Sequence, residues 1–550
     1  MQRQIRAVLA VALAATLAGC LDLDVVNENN PDRRRALAAP GDVENILGLS
    51  TWRRWYAPTH SLANIANPFP LIADEMTNTG TFMAVHWAQE PPVAYRNDEL
   101  ATQVWMPRHG YDEWSECIAN ANDGLAQIKD GMVIETLDQG ETTLSDNTDR
   151  AYSWGKLWQG VCIGYLSNFL DRFAVATEDS VLPAGWEDLA AWEKAQLGGP
   201  NSTRNRLIGI EAIEDGIERM ETGDQWLTPD LWVPGQRYTN QQVIELAHTM
   251  IARLIIYSAR NPAEREALDW DKVLFHTERG LTYDWGPILA SGVMTDPSYL
   301  ARLTGTGSTT FRADYRLIGP ADQSGAWQEW MATQPREQAV RFPIVTPDRR
   351  ITGPTPTDTG SYFRYMTSTS GFNSTMGEQH WSYYQWHRRL NEQNVNNLNG
   401  HFVLASADEN RLFRAEAMLR LNRLQEAADL INVTRTRQQT VGEVTYDNLP
   451  PVTVGGVPEV NGECVPRRAS GTCGDLWDAL MYERDIELVG MEPTRAWMDR
   501  RGFGQLRDGV WEQLPVPARY LTTLGLGTYT FGGEGGESAA VCTAPLSCLP

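Results

Sequence analysis

The sequence of 550 residues predicts an all-α protein in which helical hairpins stack into a superhelix that is interrupted by a large, irregular, loop-rich insertion. Two observations predict this class. Over most of the chain, apolar residues recur at spacings of three and four, the period of a helix with one buried face. Between residues 283 and 405 that period is lost, and Gly, Pro, Ser and Thr cluster among aromatic residues, which is typical of loops with a few short strands.

The composition limits the classes of partner. The formal net charge is −23, so the protein is poorly suited to bind nucleic acid or anionic lipid through bulk charge. We therefore expect no nucleic-acid partner. The chain also contains 20 Trp residues, an excess that indicates either a large core or flat stacking platforms for a ligand.

The N-terminus has the features of an export signal. Arg3 and Arg6 precede an apolar run over residues 7–18, which is shorter than the roughly 20 residues that span a bilayer. The run ends in Leu-Ala-Gly-Cys at 17–20, which resembles the lipobox of bacterial lipoproteins. That resemblance implies that residues 1–19 are removed and that Cys20 is lipidated and anchors the protein through acyl chains. An ordinary signal peptide that happens to contain Cys20 is the alternative.

The cysteine count agrees with an exported protein. There are seven cysteines, and setting Cys20 aside leaves an even number, as disulfide pairing requires. Six cysteines permit 15 pairings, so the local solution is only the simplest one. It pairs Cys464 with Cys473, Cys542 with Cys548, and Cys117 with Cys162. Buried free thiols are the alternative for Cys117 and Cys162.

The helices of the first half are predicted in chain order from their apolar stripes. The first covers residues 42–56, with Asp42 as a plausible N-cap. Between residues 57 and 107 prolines break the periodicity and aromatic residues are scattered. A long irregular segment in a helical protein is usually functional or disordered, and the aromatic residues argue against disorder. The later helices are predicted at 111–128, 150–175, 205–220, 239–259 and 270–281.

The clearest helical hairpin is predicted at residues 409–437. Asn422 and Arg423 form the turn between its two helices. Small residues allow the two helices to approach closely, and the spacing resembles a tetratricopeptide hairpin. These small residues are Ala415, Ala417, Ala427 and Ala428.

A second C-terminal stretch alternates charges along a predicted helix, residues 482–488. We interpret it as a solvated face with stabilising ion pairs, in which Arg484 or Arg495 binds neighbouring carboxylates. Arg500 and Arg501 are expected to be structural.

Three stretches, taken together, resemble the SusD/RagB family of outer-membrane nutrient-binding lipoproteins. The first is the lipobox with the following Leu-Asp-Leu-Asp at 21–24 and an Asn-rich segment that ends in Pro31. The second is Arg-Ala-Glu-Ala at 414–417 with Glu-Ala-Ala-Asp-Leu-Ile-Asn at 426–432. The third is Tyr-Glu-Arg-Asp-Ile-Glu-Leu at 482–488 with Arg-Ala-Trp-Met-Asp-Arg-Arg at 495–501. Leu-Pro-Val-Pro at 514–517 resembles the ending of that family.

The resemblance implies a helical body with tetratricopeptide-like pairs and a ligand-facing insertion. It also implies a function: capture of an oligosaccharide or peptide at the cell surface and delivery to a SusC-type TonB-dependent outer-membrane barrel. A surface glycan hydrolase and a non-catalytic helical-repeat scaffold are the alternatives. The predicted division of the chain is signal peptide 1–19, lipidated tether 20–40, N-terminal helical part 41–282, ligand-facing insertion 283–405, and C-terminal helical part and tail 406–550.

The candidate ligand contacts are aromatic residues of the two irregular segments. Trp and Tyr offer flat contact area to the apolar face of a sugar ring, and their polar atoms can hydrogen-bond its hydroxyl rim. Because Tyr383 and Tyr384 are adjacent, they cannot both face the same way, and we expect at least one to be exposed. The candidates are Trp87, Tyr95, Trp105, Tyr362, Tyr365, Trp381, Tyr383, Tyr384 and Trp386.

The sequence contains no motif that indicates catalysis, a metal or a cofactor. There is no H-E-x-x-H, paired C-x-x-C or G-x-S-x-G motif, and the Gly/Thr-rich run at 305–310 lacks the Lys of a phosphate loop. His380 and His387 are interpreted as surface residues. We therefore expect a binding protein that is not an enzyme, with no metal and no cofactor.

Overall fold

The computed structural model describes residues 37–60, 68–78, 97, 105–138, 140–289, 311–367, 380–388 and 400–530. The predicted all-α class is confirmed, because helices dominate this part of the chain and its strands are two or three residues long. The predicted signal peptide, most of the tether, and Cys542 with Cys548 lie outside the described residues. The predicted division of the chain into parts stays a prediction.

The N-terminal part of the described chain is built mainly from helices. They are α1 (Pro40–Asn45), α2 (Thr51–His60), α3 (Pro68–Ile72), α4 (Trp105–Lys129), α5 (Thr148–Phe169), α6 (Trp186–Gln196), α7 (Ser202–Thr222), α8 (Asn240–Ile256), α9 (Pro262–Glu266) and α10 (Trp270–Thr277).

The rest of the described chain contains shorter helices and then the C-terminal pairs. These helices are α11 (Tyr315–Ile318), α12 (Ala326–Ala332), α13 (Ala407–Arg420), α14 (Leu424–Arg435), α15 (Leu476–Glu487), α16 (Arg495–Phe503) and α17 (Ala518–Thr523). None of the helices in the described ranges is both long enough and apolar enough to cross a membrane.

The described strands form two-stranded antiparallel pairs. The strands are β1 (Met76–Asn78), β2 (Glu135–Leu137), β3 (Leu144–Asp146), β4 (Ile288–Leu289), β5 (Phe311–Ala313), β6 (Phe363–Tyr365), β7 (Tyr384–Trp386), β8 (Gly400–His401), β9 (Gln439–Val441) and β10 (Val444–Tyr446). Strand β1 pairs with β5, β2 with β3, β4 with β8, β6 with β7, and β9 with β10. The β1–β5 pair therefore links the N-terminal irregular segment to the insertion, with Met76 opposite Ala313.

The first predicted helix is present but is not a single α-helix. A π-helical turn over Ile46–Ser50 separates α1 from α2. The indole of Trp154 donates a hydrogen bond to the carbonyl oxygen of Gly48 in this turn, and Gly48 leaves no room for a Cβ against Trp232. The expected N-cap at Asp42 was wrong: α1 begins at Pro40, whose missing N–H suits the first turn.

Helix α5 is the centre of the N-terminal part and packs antiparallel against α7. The two backbones touch where glycine faces glycine: a Cβ at Gly209 would lie 2.7 Å from the carbonyl oxygen of Gly160. On a neighbouring face of α5, Gly164 accommodates Leu254 of α8. Close approach of this kind requires residues without side chains.

Helix α5 ends before the predicted limit at residue 175. After Phe169 the chain becomes extended, and Leu170 forms a bridge with Leu514 of the C-terminal segment. The backbone N–H of Phe173 then donates to the side chain of Asn201. Apolar residues continue the helical spacing here because the extended segment is itself buried, so periodicity alone could not locate the end.

The predicted C-terminal hairpin is confirmed as α13 and α14. Ser406 caps α13 by accepting from the backbone N–H of Glu409. The turn is at Asn422, whose φ of 59° is left-handed, and the N–H of Arg423 closes the helix end on the carbonyl oxygen of Met418. The four predicted small residues are fully buried between the helices.

The core explains most of the Trp excess. The ring of Trp285 contacts those of Trp52 and Trp158 in the core of the N-terminal half. Further along, Phe69 packs edge-on against Trp497 and Trp511 of the C-terminal part. The two halves therefore share one continuous aromatic core.

Candidate ligand-binding site

The candidate site is a tyrosine pair at the end of the β6–β7 hairpin where residues 366–383 connect the two strands. The register of this hairpin places Tyr365 opposite Tyr384 and Phe363 opposite Trp386. Tyr383 lies one residue before β7, and its carbonyl oxygen accepts from the N–H of Met366 at 2.7 Å. These pairings fix the backbone on both sides of the pair.

Tyr365 and Tyr383 are both partly exposed, and their ring centroids are 5.2 Å apart with 33° between the ring planes. The ring of Tyr384 supports Tyr365 from below in an edge contact at 5.6 Å. Two partly exposed tyrosine rings on a hydrogen-bonded hairpin form a stacking surface with polar hydroxyl groups. We refer to Tyr365 and Tyr383 as the tyrosine platform.

The other candidates of the insertion lie in the interior. Tyr362, Trp381, Tyr384 and Trp386 are all buried. The hydroxyl group of Tyr362 donates to the carboxylate of Glu487 at 3.1 Å, and that of Tyr384 donates to the carbonyl oxygen of Pro356 at 2.7 Å. The ring of Trp386 packs so closely on Gly490 that a Cβ there would lie 2.6 Å from it. These side chains are therefore buried in the interior, and among them Tyr384 contacts Tyr365 of the platform.

The candidates from the first irregular segment are not all described. Trp87 and Tyr95 lie outside the described residues, and so does the side chain of Trp105, although its backbone begins α4. Of the neighbouring pair, Tyr384 is buried and Tyr383 is partly exposed, in agreement with the expectation that at least one faces outward.

Three arginines lie around the platform. The guanidinium carbon of Arg341 lies 4.9 Å from the ring centroid of Tyr383. That of Arg312 lies 4.7 Å from the ring of Trp381, and Nε of Arg364 donates to the side-chain oxygen of Gln385 at 2.7 Å. The three arginines were not predicted. A sequence signal exists, since each is adjacent in sequence to a Phe.

The three arginines carry like charges, and this affects the pKa of Arg312. Burial, and after it the positive charges of Arg364 and Arg341, lower the pKa of Arg312 to about 10. Burial also lowers the pKa of Arg364. The pKa of Tyr365 is raised by burial and by Tyr383, against the opposing effect of Arg341. The platform therefore lies in a locally positive environment on an acidic protein.

A buried acidic group near the platform, Asp74 with Asp314 and His380, has the composition of a metal site. Its charges are already balanced: Nε of Arg507 lies 2.9 Å from Oδ1 of Asp74, and Nδ1 of His380 lies 2.8 Å from Oδ2 of Asp314. Although burial opposes it, His380 holds the pKa of Asp314 below its usual value. Ion pairs account for this group without a cation.

The expectation that His380 and His387 are surface residues was wrong, because both are buried. Their neighbours explain this. His380 binds Asp314, and Nε2 of His387 lies 3.0 Å from the carbonyl oxygen of Gly360. Each imidazole thus has a polar partner inside the insertion, which the sequence spacing could not reveal.

The C-terminal charged stretch is likewise buried, so the prediction of a solvated face was wrong. Arg484 binds Glu416, with Nη1 and Oε2 2.5 Å apart, and it also binds Asp499. Arg495 binds Glu75 at 2.6 Å, across the two halves of the chain. The expected pairing of Arg484 and Arg495 with carboxylates is present, but it lies inside the protein and cross-links helices.

Two clefts in the described part of the chain differ from this platform. A cleft of about 520 Å³ lies beside Asp447, Asn461 and Glu463, and none of the described residues that line it is aromatic. A smaller cleft of about 250 Å³ is lined by Tyr111 and Tyr520, whose ring centroids are 5.0 Å apart with 48° between the ring planes, but Tyr111 is buried. The tyrosine platform is the described surface that best suits a stacking ligand.

The described part of the chain contains two disulfides that differ in sequence separation, 45 residues and 9 residues. The structure contains a bond between Cys117 of α4 and Cys162 of α5, and another between Cys464 and Cys473. The first joins two long helices of the body, and the second closes a loop that precedes α15.

Comparison with solved structures identifies the fold. A SusD superfamily protein from Parabacteroides distasonis ATCC 8503 superposes with a TM-score of 0.53 at 10% sequence identity, over 88% of this chain and 97% of that chain. Surface glycan-binding protein A from Bacteroides uniformis gives a TM-score of 0.49 at 13% identity, over 92% of this chain and 94% of that chain. Comparison of the sequence with protein-family models and with curated proteins finds no match.

The chain therefore has the SusD fold. The first comparison carries this statement, since its TM-score exceeds 0.5 and nearly all of the other chain is covered. The resemblance drawn from the lipobox, the helical hairpin and the C-terminal motifs is confirmed at the level of the fold.

Proposed function

We propose that the protein is a cell-surface lipoprotein that captures an oligosaccharide or peptide and delivers it to a SusC-type TonB-dependent outer-membrane transporter. It acts by binding and not by catalysis. The SusD fold supports the general class, and the lipobox at residues 17–20 supports the lipid anchor at Cys20 and a position on the outer membrane.

The observation that carries the proposal is the tyrosine platform. Tyr365 and Tyr383 are partly exposed and lie side by side on a hairpin whose remaining aromatic residues are buried. A sugar ring stacks its apolar face on such rings and hydrogen-bonds their hydroxyl groups. Stacking of this kind contributes about 1 kcal/mol per ring beyond the burial of area.

Ligand binding is tested with the mature lipoprotein purified in detergent micelles. Isothermal titration calorimetry against a panel of oligosaccharides and peptides should identify a saturable ligand. Tyr365→Ala and Tyr383→Ala should each weaken its binding by about tenfold, corresponding to about 1.4 kcal/mol.

The matched control is Tyr446→Ala, which removes a partly exposed tyrosine of the β9–β10 hairpin that also lies beneath an arginine, Arg349. It should leave the affinity unchanged. If all three variants bind as well as the parent protein, the platform is not the ligand site.

The partner is tested by a pull-down from detergent-solubilised membranes with the tagged lipoprotein as bait. A stoichiometric TonB-dependent barrel in the eluate is the expected result. A lipoprotein that localises to the outer membrane but elutes alone under mild conditions would contradict delivery to a transporter and favour the scaffold or hydrolase alternatives.

The lipid anchor is tested at Cys20. Metabolic labelling with radioactive palmitate should label the parent protein, and Cys20→Ser should abolish the label and release the protein from the membrane fraction. Cys464→Ser, which changes a different cysteine, should retain both label and membrane association.

A further inference from the structure

We propose that the ligand of the tyrosine platform is an anionic oligosaccharide, one whose sugar units carry carboxylate or sulfate groups. This inference rests on the proposed function and names the chemical class of the ligand that the same site takes.

Arg341 is the residue on which the inference mainly depends. Its guanidinium group lies over the ring of Tyr383, and its Nη1 atom is buried without a hydrogen-bond partner among the described residues. A buried donor of a charged group is costly to leave unsatisfied. Because Arg341 as a whole is partly exposed, an acidic group of a ligand on the platform can approach its guanidinium group.

The state of Arg341 differs from that of the interior arginines. Arg350 binds Asp348, Glu483 and Glu487, and Arg265 binds Glu416 and Asp499. Arg341, in contrast, forms no ion pair with any carboxylate in the described part of the chain. Arg341 thus lacks the carboxylate partners that these two interior arginines have, and its position beside a stacking surface points to a role in binding.

The neighbouring charges have the same sign. Arg312 and Arg364 lie on β5 and β6, beside the platform, and the pKa of Arg312 is lowered by burial and then by the charges of Arg364 and Arg341. Mutual repulsion of this kind is relieved when an anion binds. The charge is local, because the whole chain has a net charge of −23 and would otherwise repel an acidic ligand.

The geometry suits a sugar acid. The planar guanidinium group can donate two parallel hydrogen bonds to a carboxylate or sulfate. When a sugar ring stacks on a tyrosine, its substituents project from the ring edge. With Arg341 and Tyr383 in contact, a carboxylate or sulfate group at that edge lies within reach of the guanidinium group.

The test compares charged ligands with their neutral counterparts on the full lipoprotein in detergent. One arm uses oligogalacturonides and the same oligomers after chemical reduction of their carboxyl groups. The other arm uses sulfated carrageenan oligosaccharides and their desulfated products. We expect the charged member of at least one pair to bind at least about tenfold more tightly than its neutral counterpart. Its affinity should fall as salt is raised from about 50 to about 500 mM, because salt screens the attraction between opposite charges.

The variants separate the charge of Arg341 from its bulk. Arg341→Gln should weaken binding of the charged oligosaccharide by roughly tenfold or more, the effect of losing a charged hydrogen bond, while Arg341→Lys should retain part of the affinity. The matched control is Arg279→Gln, an exposed arginine of the helical body that also lies over an aromatic ring, that of Phe275. It should bind as the parent protein does. Thermal unfolding of each variant confirms that it is folded.

Two results would overturn the inference and are distinguishable from each other. If a neutral oligosaccharide binds equally well and its binding depends on Tyr365 and Tyr383 but not on Arg341, the anionic class is wrong and the proposed function stands. If neither charged nor neutral oligosaccharides bind, the inference fails together with capture of an oligosaccharide.

Discussion

Arg350 and Glu483 form a fully buried ion pair, with Nη1 of Arg350 2.7 Å from Oε2 of Glu483. Arg350 belongs to the loop-rich segment and Glu483 to α15, so the pair joins this segment to the helical body. Asp348 neutralises the same guanidinium group from the other side at 2.8 Å. The hydroxyl group of Tyr362, three residues before Tyr365, donates to Glu487 one turn further along α15. This network fixes the base of the hairpin that carries the tyrosine platform.

We expect Glu483→Ala to reduce the free energy of unfolding by about 3–5 kcal/mol, because it leaves the charge of Arg350 buried with fewer partners. Chemical denaturation of the two proteins measures the difference. Glu426→Gln is the control, because it breaks an exposed ion pair between Glu426 of α14 and Arg423, the residue before α14. It should leave the unfolding midpoint unchanged. Equal effects of the two substitutions would show that the buried network does not contribute to stability.

The close contact between α5 and α7 predicts that a methyl group added at this contact lowers the stability of the protein. Gly160→Ala should destabilise the protein by about 1–3 kcal/mol, since the new methyl group would collide with the carbonyl oxygen of Gly209 and force the helices apart. Thermal unfolding measures the loss. Gly199→Ala is the control, because nothing lies within 4 Å of its added Cβ. A Gly160→Ala variant as stable as this control would refute the tight helix contact.

The two disulfides should differ in their contribution to stability because they close loops of different length. The sequence separation is 45 residues for Cys117 and Cys162 and 9 for Cys464 and Cys473. Loop-closure entropy predicts that replacing the first pair by serine costs about 4 kcal/mol and the second about 2.6 kcal/mol. Denaturation of the two double variants tests the order, and a larger loss from the short loop would contradict it.

A buried histidine pair predicts a loss of stability in acid. His248 of α8 and His276 of α10 lie with their Nδ1 atoms 2.9 Å apart, beside Glu214, Lys272 and Arg279. Burial and then nearby positive charges, including Arg279, lower the pKa of His248 to about 4 and that of His276 to about 3. The unfolded chain, in which His titrates near about 6.5, therefore binds more protons than the folded protein at intermediate pH.

Stability attributable to this pair is present above about pH 6.5 and is lost as the pH falls towards 4. Denaturation of the protein at a series of pH values between 4.5 and 7.5 measures the slope. His276→Gln should flatten it, since one of the two depressed groups is removed. An unchanged slope in this variant would show that other groups control the acid response.

The sequence by itself determined the elements whose pattern is local. The 3.6-residue period gave α5, α7 and α8 to within a few residues in most cases, and the small residues and Asn422 gave the α13–α14 hairpin and its turn. Local chemistry suffices here, because helix formation and capping depend on neighbours within four residues. The loop-rich character of the insertion was readable for the same reason.

The tertiary structure decided which side chains are buried, because that depends on partners distant in sequence. The charged residues Arg484 and Arg495 looked solvent-facing in the sequence, yet their partners Glu416 and Glu75 are far along the chain. The sequence could not show which aromatic residues of the insertion are buried and which are exposed. Tyr362 and Trp386 are buried through contacts with Glu487 and Gly490, which lie about 100 residues or more away in the sequence. The position of Arg341 over Tyr383 is likewise a long-range contact, so only the fold could bring the positive charge to the stacking surface.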